Sequence, residues 1–175
     1  PSLSRALRPR PPRQRWHVWG VSFFGPVPRP PAPVWYSAGS AAAGNLVFTR
    51  ATIVLDGGAY ASSSGAVTAN AACFGPGPYR MPNALIWCGS ARTNSVPNGA
   101  MRGFGAVQTC FAHESQMDAL AKRLGRDPVE LRLQNAIGPG DQLITGQILT
   151  GAAPMAKLIR LCSEIPEPPP ASSHR

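Results

Sequence analysis

The chain has 175 residues, which is enough for one domain or for part of a larger one. Its hydrophobic share of 43% is sufficient for a packed core, and it contains no run of about 18 apolar residues that would cross a membrane. No secretory signal is recognisable, because no uninterrupted apolar segment follows the basic N-terminal stretch. Since the chain begins at a proline, we expect an internal fragment of a longer polypeptide.

The net charge of +9 at pH 7 is concentrated at the N-terminal end. Residues 1–44 contain six arginines and no acidic residue, whereas residues 45–175 contain eleven basic and eight acidic residues. A basic, proline-rich tail is usually solvated, and the chain has no zinc finger, RNP motif or helix-turn-helix spacing. We therefore predict no nucleic-acid partner. An interaction module whose basic tail binds acidic partners remains an alternative.

The four cysteines form no C-x-x-C pair, and none lies at metal-ligand spacing from another cysteine or a histidine. We predict that all four are reduced, which is typical of a cytoplasmic protein, and that no iron–sulfur cluster is held within this chain. Cys110 is expected on the apolar face of a helix, where a buried thiol behaves as a small hydrophobic group. The cysteines are Cys73, Cys88, Cys110 and Cys162.

Residues 1–44 are predicted to be a Pro/Arg-rich irregular segment, because prolines interrupt both strands and helices. Its aromatic residues are expected to pack against another part of the protein. Residues 45–165 are predicted to form a partial domain, and residues 166–175 a tail. The aromatic residues are Trp16, Trp19, Phe23, Phe24, Trp35 and Tyr36.

The stretch "NLVFTRATIVLDGGAY", from Asn45, predicts a strand that ends in the turn Asp56-Gly57-Gly58. Both faces of this strand are largely apolar, as in a strand covered on both sides of its sheet. A short helix is predicted over 66–74. The stretch "ALIWCGSARTN" then predicts a second strand.

A long helix is predicted from Ala106, and Gly125 is expected to end it. Asp127 caps a second predicted helix, which has Pro128 at its first position and runs to Asn135. A third helix is predicted over 153–162. The fold class is therefore α+β, with mixed strands and a glycine loop leading into a long helix. The predicted apolar stripe of the long helix is Val107, Cys110, Phe111, Met117, Leu120, Ala121 and Leu124.

The segment Arg102-Gly103-Phe104-Gly105 lies directly before the long helix. Its two glycines allow backbone conformations that other residues avoid, and they allow close approach to a ligand. The helix start adds unpaired N–H groups and the positive end of its dipole. Two interpretations stay open at this point: a site for an anionic or oxygen-rich ligand, or a loop whose glycines serve close packing.

The ordered motifs from this loop onward resemble the molybdenum-binding large subunit of the xanthine dehydrogenase and aldehyde oxidase family. The resemblance covers about residues 45–165 and includes "IVLDGGAYASS" and "GPYRMPN" before the loop. The stretch "SFFGPVPRPPAPVWY" is faintly similar to the family's upstream segment, but it lacks the usual acidic and histidine residues. The motifs are "AMRGFGAVQ" and "LGRDPVELRLQNAIGPGDQLITGQ".

The resemblance implies a partial molybdopterin-binding domain of a molybdenum hydroxylase. Such an oxidoreductase hydroxylates an aldehyde, a purine or another N-heterocycle, with water as oxygen source. Electrons pass from molybdenum–molybdopterin, expected in its cytosine dinucleotide form, to [2Fe–2S] clusters and FAD on partner domains or subunits. The complete protein is expected to be an oligomer without a membrane partner.

The resemblance also implies roles for individual residues. Arg102, Gly103, Gly105 and Gln108 would bind the cofactor, with the backbone amide of Arg102 near the molybdenum ligands. Phe104 would pack on the flat substrate. No side chain of this chain would bind the metal. A position at the start of the helix accounts for Gln108 equally well.

Departures from the family pattern limit these expectations. In xanthine-oxidising members an upstream arginine anchors the purine, and a gapless count puts Asn70 there. An aldehyde or another N-heterocycle is therefore as good a candidate as xanthine. The catalytic glutamate would lie beyond Arg175, and Glu114 and Glu130 are expected to be structural. We therefore predict no catalytic residue and no activity for this fragment alone; a non-catalytic scaffold relative or degraded gene product is the alternative.

Overall fold

The computed structural model describes residues 27–166, which form a three-stranded sheet and four helices. This combination of strands and helices confirms the predicted α+β class. No helix within the described range is long and apolar enough to cross a membrane. In chain order the elements are β1 (Val34–Ser40), β2 (Leu46–Gly58), α1 (Ser64–Cys73), β3 (Asn83–Arg92), α2 (Ala106–Leu124), α3 (Pro128–Asn135) and α4 (Met155–Ser163).

The sheet has the order β1-β2-β3, with β2 at its centre. β1 runs antiparallel to β2, and β3 runs parallel to β2. A parallel neighbour requires a crossover, and α1 supplies it. The short helix that the sequence predicted over 66–74 is therefore the element that connects the two parallel strands.

One face of β2 lies against α1 and forms the first of two hydrophobic clusters. Side chains alternate between the two faces of a strand. Thr52 and Val54 of β2 therefore point to the opposite face, where they are only half-buried. Trp35 and Trp87 flank Thr52 in the register on that side and are 62% and 57% exposed. The prediction that β2 is covered on both faces is therefore wrong within residues 27–166. The first cluster comprises Ala51, Ile53, Leu55, Val67 and Ala71.

The second cluster joins α2 and α3 to the start of β2. The predicted limits of both helices are confirmed. Gly125 ends α2 in a left-handed conformation with φ of 64°. Asp127 caps α3 and accepts hydrogen bonds from the N–H groups of Val129 and Glu130, at 2.8 and 2.9 Å. The cluster comprises Leu46, Tyr79, Met117, Leu120, Ala121 and Leu131.

The buried face of α2 differs from the predicted stripe in its first half. Cys110 is exposed, and Phe111 is 78% exposed, whereas Thr109 and His113 are buried. Thr109 can be buried because its hydroxyl donates to the carbonyl of Ala106 at 3.0 Å. The expectation of a buried Cys110 thiol is therefore wrong. All four cysteines are free.

Strand β1 lies inside the segment predicted to be irregular, so that prediction is wrong for residues 34–40. The last proline of the segment, Pro33, immediately precedes the strand. A proline lacks an N–H group, but its carbonyl can still accept. Pro31 and Pro33 accept hydrogen bonds from the N–H groups of Asp56 and Val54 at 2.9 and 3.2 Å, and thereby extend the pairing with β2.

Two further expectations concern the ends of the chain. α4 occupies residues 155–163 where a helix was predicted over 153–162, but none of its residues is buried. Trp16, Trp19, Phe23 and Phe24, which were expected to pack against another part of the protein, lie outside the described residues. The predicted domain limits at residues 45 and 165 stay predictions.

Gly105 sets the approach of α2 to α1. Its φ of +95° is left-handed, and a Cβ atom there would lie 2.5 Å from the carbonyl oxygen of Val67 and 3.1 Å from the backbone nitrogen of Ala71. Both contacts are with backbone of α1, which cannot move aside as a flexible side chain would. Only glycine therefore allows the start of α2 to lie this close to α1.

We expect Gly105→Ala to destabilise the fold by more than Gly125→Ala. Both glycines have positive φ, but a Cβ atom on Gly125 meets nothing within 4 Å. Gly125→Ala is the control and should lower the free energy of unfolding by about 1 kcal/mol from backbone strain alone. Gly105→Ala should lower it by at least about 2 kcal/mol because the new Cβ atom also clashes with α1. Urea denaturation measures both. Equal losses would contradict the proposed packing.

Asn135 joins α3 to the β1–β2 connection. Its side-chain oxygen accepts from the N–H of Leu46 at 2.9 Å, and its amide donates to the carbonyls of Gly44 and Leu131, each at 2.9 Å. The side chain is buried, so water cannot replace these partners. A buried polar group that has lost its partner costs free energy.

We therefore expect Asn135→Ala to lower the free energy of unfolding by about 2–4 kcal/mol. The matched control is Asn83→Ala. Asn83 is exposed and makes one bond to the carbonyl of Val47, so its loss should cost less than about 1 kcal/mol. Thermal or denaturant unfolding measures the difference. Similar values for the two variants would show that the Asn135 bonds add little.

Candidate functional site

The loop before α2 has three consecutive residues with left-handed backbone conformation. Gly103, Phe104 and Gly105 have φ angles of 91°, 49° and 95°. Glycine adopts this conformation freely, but a residue with a large side chain does so at a cost of about 1–3 kcal/mol. Such strain occurs most often at functional sites, so the Phe104 backbone makes this loop a candidate site.

The loop amides divide into two groups. The N–H groups of Phe104 and Ala106 donate to the carbonyls of Met101 and Gly103 at 2.7 and 2.9 Å, and so they are used within turns. The N–H groups of Arg102, Gly103 and Gly105 have no hydrogen-bond partner within residues 27–166. Residues 102 and 103 are exposed, whereas Gly105 is buried beside α1.

Phe104 is half-buried, and its side chain packs against the hydrophobic cluster of β2 and α1. Its carbonyl accepts a hydrogen bond of 2.7 Å from the side-chain amide of Asn70. Asn70, which occupies the position of the purine-anchoring arginine in the gapless count, thus fixes the loop instead. Sequence reasoning did not find this role, because it depends on the approach of α1 to the loop.

Gln108 lies in the first turn of α2, and its side chain is only partly used. Its amide nitrogen donates to the carbonyl of Pro30 at 3.1 Å. Its side-chain oxygen is buried and has no partner in the part of the chain that the structure describes. The Arg102 side chain is exposed. The five predicted site residues are therefore contiguous in space, with Gln108 one helical turn beyond the loop.

The segment of residues 28–33, here called the proline strap, lies against this loop. The N–H of Gly99 donates to the carbonyl of Pro28 at 3.1 Å, and Arg29 donates from Nη2 to the carbonyl of Arg102 at 2.6 Å. Sequence reasoning missed these contacts because it treated the prolines only as interruptions. Arg29 is the one residue of the strap with a polar side chain, and its position between two prolines was the available signal.

A cavity of about 650 Å³ is lined in part by the first half of α2. It is mostly apolar, and Ala106 and Cys110 line it, whereas the side chains of residues 102–105 do not. His113 also lines it, and burial lowers the pKa of this imidazole although the nearby Glu114 carboxylate opposes that shift. The cavity is therefore separate from the free amides of the loop.

Glu114 is engaged in a structural network beside this cavity. It accepts hydrogen bonds from the hydroxyl of Tyr79 and from Nε of Arg132, both at 2.7 Å. Burial and the Glu114 carboxylate together raise the pKa of Tyr79 well above its usual range. A carboxylate held by two donors in this way is a poor candidate for a general base, in agreement with the structural role predicted for Glu114.

The loop fits an oxygen-rich anionic ligand better than a bare metal ion. Its unpaired groups are backbone N–H donors, which bind oxygen atoms of phosphates and oxo groups. Gly103 adds no side chain of its own at the exposed part of the loop. No group of three histidine, cysteine, aspartate or glutamate side chains that could hold a metal occurs within residues 27–166.

A known protein family matches most of this chain. The family described as the molybdopterin cofactor-binding domain matches residues 21–136. The nicotinate dehydrogenase large molybdopterin subunit of Eubacterium barkeri is 41% identical over 109 residues, which are 62% of this chain and 26% of that subunit. A probable xanthine dehydrogenase subunit of Bacillus subtilis is 43% identical over 98 residues, which are 56% of this chain and 13% of that protein.

The fold has a close counterpart among solved structures. The aldehyde oxidoreductase of Desulfovibrio gigas superposes with a TM-score of 0.70 at 34% identity, over 77% of this chain and 15% of that one. The chain thus spans about a quarter or less of the length of these relatives. The matched family, the relatives and the fold agree, and the chain belongs to the molybdopterin cofactor-binding domain family of the xanthine dehydrogenase and aldehyde oxidase type.

Proposed function

We propose that the complete protein is a molybdenum hydroxylase subunit and that residues 102–108 hold its molybdopterin cofactor. The observation that carries this proposal is the set of three unpaired amides at Arg102, Gly103 and Gly105. They lie at the start of a 19-residue helix, where the helix dipole adds a positive potential. Anionic oxygen atoms of the cofactor would complete their hydrogen bonding.

Each proposed contact follows from the donor or acceptor that is free. The backbone amides of Arg102, Gly103 and Gly105 would donate to oxygen atoms, and the amide of Arg102 would lie near the molybdenum ligands. The buried side-chain oxygen of Gln108 would accept a hydrogen bond from the pterin. When bound, the molybdenum centre supplies the redox chemistry that makes hydroxylation with water as oxygen source feasible.

Phe104 is proposed to contact the substrate with the part of its ring that the core leaves open. A flat aromatic side chain stacks well on a planar heterocycle or conjugated aldehyde. Asn70 carries no charge and already holds the carbonyl of Phe104, so it is unsuited to anchor an anionic purine. An aldehyde or an N-heterocycle is therefore the proposed substrate class.

Several wider features belong to the same proposal. The cofactor would be the cytosine dinucleotide form, and [2Fe–2S] clusters and FAD on partner domains or subunits would remove the electrons. The complete protein would be cytoplasmic and oligomeric. No residue in this chain is proposed as catalytic, so the chain alone would be inactive without the glutamate base that lies elsewhere in the family.

A second candidate function is a scaffold relative without activity. Two observations on the loop favour it: two of the loop amides are hydrogen-bonded within turns, and the Phe104 side chain packs against the core. Expression of the complete protein in a host that makes molybdopterin separates the two. Stoichiometric molybdenum in the purified protein supports the hydroxylase, and a metal-free protein supports the scaffold.

We expect Phe104→Ala in the complete protein to reduce turnover more than molybdenum content. Loss of stacking on a planar substrate, worth about 1–3 kcal/mol, should lower kcat/KM by roughly tenfold to a hundredfold. Molybdenum content should stay within about twofold, since the ring contacts substrate and not metal. Phe111→Ala is the matched control, because that ring is 78% exposed on the helix that follows the loop. Parallel loss of turnover and molybdenum would contradict the assigned role.

A further inference from the structure

The proline strap connects the central strand to both ends of the glycine loop. Its Pro31 carbonyl accepts from the N–H of Asp56 in β2 at 2.9 Å. Its Pro28 carbonyl accepts from Gly99 before the loop at 3.1 Å, and its Pro30 carbonyl accepts from the side chain of Gln108 after the loop at 3.1 Å. The strap is therefore anchored on the sheet and is hydrogen-bonded to residues on both sides of the loop.

Arg29 is the strap residue that reaches the centre of the loop. Its Nη2 atom donates to the carbonyl of Arg102 at 2.6 Å. Its Nη1 atom is buried without a partner in the described residues and lies 3.8 Å from the position a Cβ atom would take on Gly103. A buried guanidinium nitrogen without a partner costs free energy, so fold stability alone does not account for this placement.

The contact determines the direction of a loop amide. The peptide between Arg102 and Gly103 is trans, and in a trans peptide the carbonyl and the N–H point in opposite directions. Because Arg29 holds the Arg102 carbonyl on its own side, the N–H of Gly103 must point away from the strap. Gly103 has φ of 91° and could otherwise rotate readily, since glycine has no side chain to restrict it.

We infer that Arg29 is a positioning residue for the cofactor-binding loop, acting through the carbonyl of Arg102 to aim the Gly103 amide at the ligand. This inference rests on the proposed function. Arginine suits the task because its planar guanidinium keeps its charge at all physiological pH values and loses little freedom for each hydrogen bond it makes. Lysine at this position can supply the charge and one donor nitrogen, but not the fixed planar fork of the guanidinium.

Hydrogen exchange in the complete protein without cofactor tests the positioning directly. We expect Arg29→Gln to make the amides of Phe104 and Ala106 exchange about tenfold faster. The variant loses the charged hydrogen bond to the Arg102 carbonyl, so the turns that protect these two amides should open more often. The amide of Ile53 in the sheet should be unchanged. Arg29→Lys should fall between Arg29→Gln and the parent. The matched control is Arg80→Gln, because Arg80 also donates to a backbone carbonyl, that of Gln134, away from the loop.

Molybdenum content after expression with the cofactor is the second readout. Partners that orient a ligand-binding group typically change metal affinity by about tenfold or more, so Arg29→Gln should lose molybdenum to a similar extent while Arg80→Gln retains it. Faster loop exchange together with this loss, and partial recovery of both in Arg29→Lys, would support the inference.

Two results would overturn the inference: loop exchange in Arg29→Gln equal to that of the parent, or faster exchange with unchanged molybdenum. If Arg29→Gln does not fold, the same two comparisons apply to Arg29→Lys. A parent protein that never acquires molybdenum overturns the proposed function instead, and the exchange result still decides whether Arg29 holds the loop.

Discussion

The arrangement of the candidate site depends on the close approach of two helices at Gly105. The absence of a side chain there lets the start of α2 lie against the backbone of α1. This approach brings Asn70 of α1 within 2.7 Å of the Phe104 carbonyl and fixes the left-handed turn of residues 103–105. Gly105 is the N-cap of α2, and an N–H group at that position has no acceptor within the helix.

The sequence predicted well those elements whose signals are local. The limits of α2 and α3 follow from Gly125 as a helix end and from Asp127 as a cap, and both residues act as expected. β2 and β3 follow from runs of apolar residues. Strand β1 was missed for two reasons. The prolines before it dominate the local sequence pattern, and its pairing with β2 is a tertiary contact that a local pattern does not report.

The site was predicted less completely than the fold. The glycines and the helix start can be identified from sequence spacing alone. The roles that the family motif implies for Arg102, Phe104 and Gln108 stay predictions. The contacts of Asn70 and Arg29 with the loop join residues 34 and 73 positions apart, so only the tertiary structure brings them together. The wrong prediction for Cys110 has a similar cause. Helical periodicity predicts which residues share a face, but not which part of that face another element covers.

The proposed cofactor site requires that the unpaired loop amides face the ligand. Hydrogen exchange of the Arg102, Gly103 and Gly105 amides, compared between loaded and cofactor-free complete protein, measures this directly. Loading should slow exchange at these three amides by about tenfold or more, as expected for new hydrogen bonds to charged oxygen atoms, and leave the β2 amides unchanged. Equal exchange at the three amides with and without cofactor would contradict the proposed site.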